Sequence, residues 1–372
     1  MSGASSATSR YTKLRERFDT DVFNCNWRDV DVGAKREENG CFVDLFSGAG
    51  GMSVGFRSAG LEKILSIEIN PFASATLRRN FPESLHFERP IEEVSNDELL
   101  SAIGAREVDV VCGGPPCQGF SVAGRRMADD PRNRLFIEFC RIVELLKPKY
   151  FVMENVPGLL TMQKGAVYRA ILERMAEIGY PDASVRILEA AEHGAPQLRS
   201  RVIIIGNRLG RKNPYPKPTF HKETYRTIDD AIDDLADHPR DPVINHEWTA
   251  HSAAYEQRIA QVPPGGSLYA TFRDAFKRQY SGVPSMTAKE NHGGTHIHHT
   301  KNRVLSAREL ARLQTFPDDF YFEGGMKKAY WQIGNAVPCV MAEAIARAIA
   351  SDIRQASGEE APQASMIELL QA

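Results

Sequence analysis

The residues of this chain best suited to covalent chemistry lie in Cys112-Gly113-Gly114-Pro115-Pro116-Cys117-Gln118-Gly119-Phe120-Ser121. The apolar run Val108 to Cys112 predicts a strand, and two glycines and two prolines then stiffen a turn that presents Cys117. A thiolate is a strong nucleophile, although a lone cysteine is more often buried and inert. The Pro-Pro frame at a strand's carboxyl end favours the reactive reading, because open α/β sheets bind ligands at that edge. Glu154 follows the next predicted strand, Tyr150 to Met153, which places it beside Cys117. Once protonated, its carboxyl can hydrogen-bond a ring nitrogen and an amino group together; a helix cap or salt-bridge role is the plainer alternative. Arg199 and Arg201, in Gly194-Ala195-Pro196-Gln197-Leu198-Arg199-Ser200-Arg201, share a face if that segment is extended. Paired guanidinium groups at a pocket rim suit carbonyl and phosphate oxygens, and solvated surface arginines are the alternative.

A second constellation precedes these. A strand over Cys41 to Phe46 runs into Ser47-Gly48-Ala49-Gly50-Gly51 and then a helix. Glycines let backbone N–H groups approach a ligand, and the helix N-terminus favours negative charge. Glu68 closes the next strand, twenty residues after Gly48, where a carboxylate can accept both hydroxyls of a ribose. The loop alone fits a nicotinamide dinucleotide as well as S-adenosylmethionine.

The elements that must position these groups alternate. Strands are predicted at 41–46, 64–68, 108–112, 150–153 and 202–205, with helices between them, one over Arg134 to Leu146. Pro71 can open a helix at its first turn. This predicts a mostly parallel sheet covered on both faces. After about Asn207 the sequence becomes rich in Pro, His, Asp and Arg, with an acidic stretch from Asp229 to Asp237 and a more basic second half. The expected division is an extension over 1–39, a catalytic domain over 40–206 completed by 327–355, a second lobe over 207–326 and a tail over 356–372.

The 372 residues suffice for a sizeable core and a smaller lobe, and a net charge of -2 does not announce a nucleic-acid partner by itself. Six cysteines without a CxxC spacing suggest free thiols in a reducing compartment. No apolar run suggests a signal peptide or a membrane span. The cluster His292, His296, His298 and His299 matches no common structural zinc spacing, and no metal is expected.

Together these runs resemble the DNA (cytosine-5) methyltransferase family. Asp44-Leu45-Phe46-Ser47-Gly48-Ala49-Gly50-Gly51 looks like its cofactor motif and Pro115-Pro116-Cys117-Gln118 its nucleophile motif. Glu154-Asn155-Val156 looks like its acid motif, and Gln197-x-Arg199-x-Arg201 its base-binding motif. Arg308 to Asp318 and Gln332-Ile333-Gly334-Asn335-Ala336-Val337-Pro338 resemble its two final motifs, in family order. One position departs: Pro90 stands where the family commonly has the Asp that binds the adenine amino group, leaving Glu88, Glu92 or backbone as candidates.

The resemblance implies a Rossmann-like S-adenosylmethionine-dependent methyltransferase sheet with a smaller, irregular target-recognition lobe. It implies S-adenosylmethionine as cofactor, with S-adenosylhomocysteine as product, held by Phe46, Ser47, Gly48, Ala49, Gly50, Gly51, Glu68, Ile69, Pro116, Asn335 and Val337. Cys117 would attack cytosine C6, Glu154 would bind N3 and the 4-amino group, and Arg201 with Arg199 would hold O2. Gln118, Ser121, Arg125, Arg126 and Gln197 would contact double-stranded DNA, with 119–133 as a closing loop. A cytoplasmic, nucleoid-associated monomer acting as a bacterial modification enzyme is the expected setting. The nearest rival is a tRNA cytosine-5 methyltransferase.

Overall fold

The protein is described here by a computed structural model covering residues 40–116, 134–270, 276–289 and 296–358. In chain order the first elements are β1 (Cys41–Leu45), α1 (Gly51–Ser58), β2 (Glu62–Ile67), α2 (Pro71–Asn80), β3 (Leu85–Phe87) and α3 (Asn96–Ile103). Then come β4 (Val110–Gly113), α4 (Arg134–Leu146), β5 (Tyr150–Asn155), α5 (Ala166–Glu177), β6 (Ser184–Glu189) and β7 (Ser200–Asn207). Among the described residues these seven strands form one sheet in the order β3-β2-β1-β4-β5-β7-β6. The first five are parallel, and β7 runs antiparallel to both β5 and β6. The expected Rossmann-like α/β sheet is therefore present, and the strand order reverses between β1 and β4, where such sheets bind ligands.

Burial explains why the central strands read as continuous apolar runs. Every residue of β1 and β4 is buried, because helices cover both faces. Alternate residues serve the two sides. Val43, Val111, Phe151 and Met153 pack against α3, α4 and α5 through Leu99, Phe139 and Ile171. Phe42, Val110, Tyr150 and Val152 pack on the other side against Phe56 of α1. Helix α2 starts as expected at Pro71, with the Asn70 side-chain Oδ1 accepting from the amides of Phe72 and Ala73.

Two strands escaped the sequence reading. β3 has only three residues, and β6 is an edge strand whose Arg186 and Ile187 are exposed, so neither carries a clear period. The second lobe also holds more regular structure than its composition suggested. It contributes α6 (Ile228–Ile232), α7 (Ala253–Ala260) and a strand pair, β8 (Lys277–Arg278) with β9 (His296–Ile297). Arg278 is buried and donates to the carbonyls of Val262 at 2.8 Å, Ile259 at 2.9 Å and His298 at 3.0 Å, so one guanidinium replaces a longer ladder.

The chain then returns through α8 (Ala307–Leu313), α9 (Gly325–Asn335) and α10 (Cys339–Ala356). Met341, Ile345 and Ile349 of α10 complete the sheet's second face. No single helix among the described residues is long and apolar enough to cross a membrane. α1 and α10 approach closest at Gly55, where an added Cβ would stand 2.5 Å from both the Cys339 carbonyl and the Ala342 Cβ. Two helix backbones cannot yield as a side chain does, so Gly55→Ala should cost about 2 kcal/mol by overpacking. Urea unfolding of the two proteins checks this; an unchanged midpoint would show that the helices do not pack as described.

Candidate active site

The carboxyl ends of β4, β5 and the start of β7 meet at one place. On β5, Tyr150, Val152 and Glu154 alternate onto one face, and on β7 Arg201, Ile203 and Ile205 do the same. The ladder pairs Glu154 with Ile203, which leaves Arg201 just beyond the last rung. Its Nε lies 2.8 Å from Glu154 Oε1, with the two side chains 13% and 14% exposed. Glu154 is thus inside the strand end rather than after it, as the sequence suggested. Its other oxygen, Oε2, faces the turn after β4, where a Cβ on Gly114 would come within 2.9 Å. Burial pushes the Glu154 carboxyl above the usual carboxylate range, and the charges of Arg201 and Arg199 act against that rise.

The turn itself is tied down. Asn155 Nδ2 donates to the Pro115 carbonyl at 3.0 Å, and its Oδ1 accepts from the Val156 amide. Asn155 was not singled out from sequence. The signal available was a polar residue at the buried end of a strand, directly after an acid. Pro115 is buried and Pro116 exposed. Cys117, Gln118, Ser121, Arg125 and Arg126 lie outside the described residues, as does His292.

Two expected site residues lie elsewhere than expected. Arg199 is not at a rim. It is buried, and its guanidinium donates to the carbonyls of Ala288 at 2.7 Å, Gly334 at 2.8 Å and Ala336 at 2.9 Å. Gln197, expected to contact DNA, is fully buried as well. Its Nε2 donates to Leu313 O and Gln314 Oε1, and its Oε1 accepts from the Ala288 amide. Both side chains join the start of β7 to the returning segments 285–288 and 313–336. The alternation that puts Arg199 and Arg201 on one face is right, but the returning chain covers the first of them.

The glycine loop expected to hold a cofactor follows β1. Phe46, Gly48 and Gly50 have φ of 56°, 54° and 88°, a left-handed course that suits glycine and strains Phe46. The Gly48 amide donates to Glu68 Oε2 at 2.7 Å, and the Asn70 amide to Oε1 at 2.8 Å. Each carboxylate oxygen keeps a further lone pair. Ser47 Oγ donates to Asp44 O, and buried Ser53 Oγ to Asp44 Oδ2, which braces the loop from below. Ala49 is buried, Gly51 packs against the Val337 carbonyl, and Ile69 is 63% exposed. Asn335 is exposed at the end of α9, where its Nδ2 donates to Trp331 O. Beside Pro90, Glu88 pairs with Arg78, and Glu92 lies 3.4 Å from Arg134.

Of the described histidines, His298 and His299 stack with ring centroids 4.4 Å apart, while their nitrogens take separate partners. His296 bonds the Met286 carbonyl, and His298 Nδ1 accepts from the amides of Thr300 and Lys301. His299 Nε2 instead meets Asp233 at 2.7 Å and Asp229 at 3.5 Å. Asp229 also accepts from Ser281 and the Gly282 amide.

This geometry separates the two arginines. Arg199→Met removes the donor to the buried carbonyls of Ala288 and Gly334 and one of two donors to Ala336, and should cost about 3 kcal/mol. Arg201→Met leaves the nearly buried Glu154 carboxyl without its partner but strands no backbone carbonyl of the returning segment; uptake of a proton by Glu154 limits the loss to about 1–2 kcal/mol, less than at Arg199. Denaturant unfolding of the two variants checks the contrast, and equal losses would contradict it.

Comparison with known proteins fits this arrangement. The sequence model of the family described as C-5 cytosine-specific DNA methylase matches residues 41–351. The type II methyltransferase M1.HphI of Haemophilus parahaemolyticus is 43% identical over 323 residues, covering 83% of this chain and 86% of that protein. M.XorII of Xanthomonas oryzae pv. oryzae, another type II methyltransferase, is 32% identical over 364 residues, covering 84% and 85%. A crystal structure from E. coli, described as a DNA modification methyltransferase encoded within a prophage, superposes with a TM-score of 0.69 at 26% identity. That match covers 84% of this chain and 99% of the other. The chain belongs to the C-5 cytosine-specific DNA methylase family and is a DNA cytosine-5 methyltransferase.

Proposed function

We propose that the protein transfers a methyl group from S-adenosylmethionine to C5 of a cytosine in a specific double-stranded DNA sequence, by base flipping and covalent addition of Cys117 at C6. The observation that carries this reading is the Glu154–Arg201 pair, with Glu154 Oε2 against Gly114, three residues before Cys117.

The residues of the loop after β1 fit the cofactor. The space over Gly48 is open, with nothing within 4 Å of where a Cβ would stand. Glu68 supplies a carboxylate for ribose hydroxyls, and exposed Ile69 supplies an apolar surface beside it. Phe46, Ser47, Gly50, Gly51 and Val337 complete the cradle, and Pro116 and Asn335 are exposed within reach of a ligand by the family's pattern. When bound, S-adenosylmethionine supplies a methyl group on a positively charged sulfur, open to attack by a carbon nucleophile.

Cytosine C5 is a weak nucleophile, and the chain's residues change that. The Cys117 thiolate forms a bond to C6, the C5–C6 electron pair forms a C4–C5 double bond, and the C4–N3 pair moves to N3, which takes up a proton and leaves C5 an enamine-type nucleophile. Glu154, whose carboxyl burial pushes above the usual carboxylate range, donates a proton to N3 once protonated and accepts from the 4-amino group. Arg201 donates to O2. After C5 is methylated, loss of the C5 proton restores the double bond and expels the Cys117 thiolate. A free thiol titrates near ~8.5, so a lowered pKa at Cys117 would speed the attack. Stacking hides C6 in a duplex, so the base must leave the helix at a cost of about a few kcal/mol.

We assign residues 207–326 to target recognition and residues 40–206 with 327–355 to catalysis. Arg199 is a positioning residue here, and Gln118, Ser121, Arg125 and Arg126 remain candidates for DNA contact. A setting beside a restriction nuclease follows from the names of the relatives alone.

Cys117→Ala should abolish methylation while the affinity for S-adenosylmethionine, measured by calorimetry, stays within about twofold. Full activity in that variant would sink the assignment. Duplex DNA carrying 5-fluorocytosine should trap the wild-type protein on denaturing gels, because fluorine cannot leave C5 as the proton does. Active enzyme without an adduct would rule out addition at C6. Glu68→Ala should weaken S-adenosylmethionine binding about tenfold or more; an unchanged dissociation constant would move the cofactor elsewhere.

A further inference from the structure

At the start of β7, one carboxylate does what a strand ladder would otherwise do. Glu189 ends β6 and pairs with Ser200 across the sheet, while Leu188 pairs with Arg201. Glu189 Oε1 accepts from the Arg199 amide at 2.5 Å, and Oε2 from Ser200 Oγ at 2.6 Å. The Ala190 amide donates to the Arg199 carbonyl at 3.0 Å, closing the same turn. The next peptide passes this restraint onward. Arg201 Nη1 donates to the Ser200 carbonyl at 2.8 Å, while Arg201 Nε meets Glu154 Oε1 at 2.8 Å. A continuous path therefore runs from Glu189 through the Ser200 hydroxyl and carbonyl to Arg201 and Glu154.

We propose that Glu189 is a positioning residue for methyl transfer. It orients the Ser200 peptide, and that peptide aims Arg201 so that the guanidinium holds Glu154 against Gly114. The inference rests on the catalytic reading of Glu154 and Arg201. A flexible arginine with a free backbone anchor has many rotamers that miss Glu154. Fixing the Arg199 amide and the Ser200 hydroxyl, the two groups just before it, removes most of them before substrate arrives. Two acceptor oxygens are needed for two donors, which a carboxylate offers and an amide only partly replaces. A glutamine keeps one acceptor, and its NH2 can donate to the Ser200 hydroxyl in reversed polarity.

The test uses the full chain and 5-fluorocytosine duplex DNA, reading the rate of covalent capture. Glu189→Ala should slow capture about tenfold or more, with the S-adenosylmethionine dissociation constant unchanged. Glu189→Gln should recover most of the loss, and Ser200→Ala should show a smaller one. In an Arg201→Ala background, Glu189→Ala should add less than about a twofold further loss, because both act through one contact. Multiplicative losses in the double variant would overturn the proposal, as would wild-type capture in both Glu189 variants. Should Glu189→Ala lose its cooperative unfolding, Glu189→Gln and Ser200→Ala carry the same comparison. Wild-type capture by Arg201→Ala alone would instead overturn the reading of the site, whereas collapse there with no effect at Glu189 overturns only the role of Glu189.

Discussion

A carboxyl group whose proton affinity is raised must leave open water, and it cannot be buried alone. Glu154 meets both conditions at the end of β5. Its surroundings raise its proton affinity, and the Arg201 guanidinium 2.8 Å away stops it from becoming an unpaired buried charge. The contact requires three strand ends at one edge. β4 must stop at Gly113 so that its turn passes beside the carboxylate, and Gly114 must lack a side chain. β7 must run antiparallel to β5, which brings the first residues of β7 to the last residues of β5. The reversed strand is thus what lets Arg201 reach Glu154.

The same edge depends on the part of the chain most distant in sequence. Arg199 binds the carbonyls of Gly334 and Ala336, Gln314 Nε2 binds Ile333 and Ala336, and Gly51 packs on Val337. The segment 333–337 therefore touches both the start of β7 and the cofactor loop. Helix α10 then locks against α1 through Gly55. The glycine loop after β1 and the acid pair share one support, and a shift in the returning helices would disturb both.

The acidic stretch from Asp229 to Asp237 is tied by hydrogen bonds and ion pairs to the same region and to the adjoining helix. Asp233 meets His299, Asp234 meets Arg312 at 2.5 Å, and Asp237 meets Lys301 at 2.6 Å. The Asp237 contact is exposed and contributes little to stability. Arg312 is buried and also binds Asp318, so that cluster fixes α8 to the acidic segment.

Much of this was legible in the sequence, for reasons that are local. Apolar runs marked β1, β4, β5 and β7 because both faces of the sheet are covered. Gly48, Gly50 and Glu68 marked a ligand loop because strand, glycine turn and carboxylate follow at short range. Glu154 and Arg201 stood out as groups whose chemistry suits a base. Other features depend on distant partners and leave no local trace. β6 is an exposed edge with little alternation. Asn155 matters only because Pro115 lies across from it. Arg199 and Gln197 carry the same residue types as surface binders, and their burial comes from segments more than 80 residues away. The sequence by itself determined which side chains can do the chemistry and which strands carry them. Only the tertiary structure decided which of two neighbouring arginines faces the acid and which holds the chain together, because burial and pairing are properties of the returning backbone.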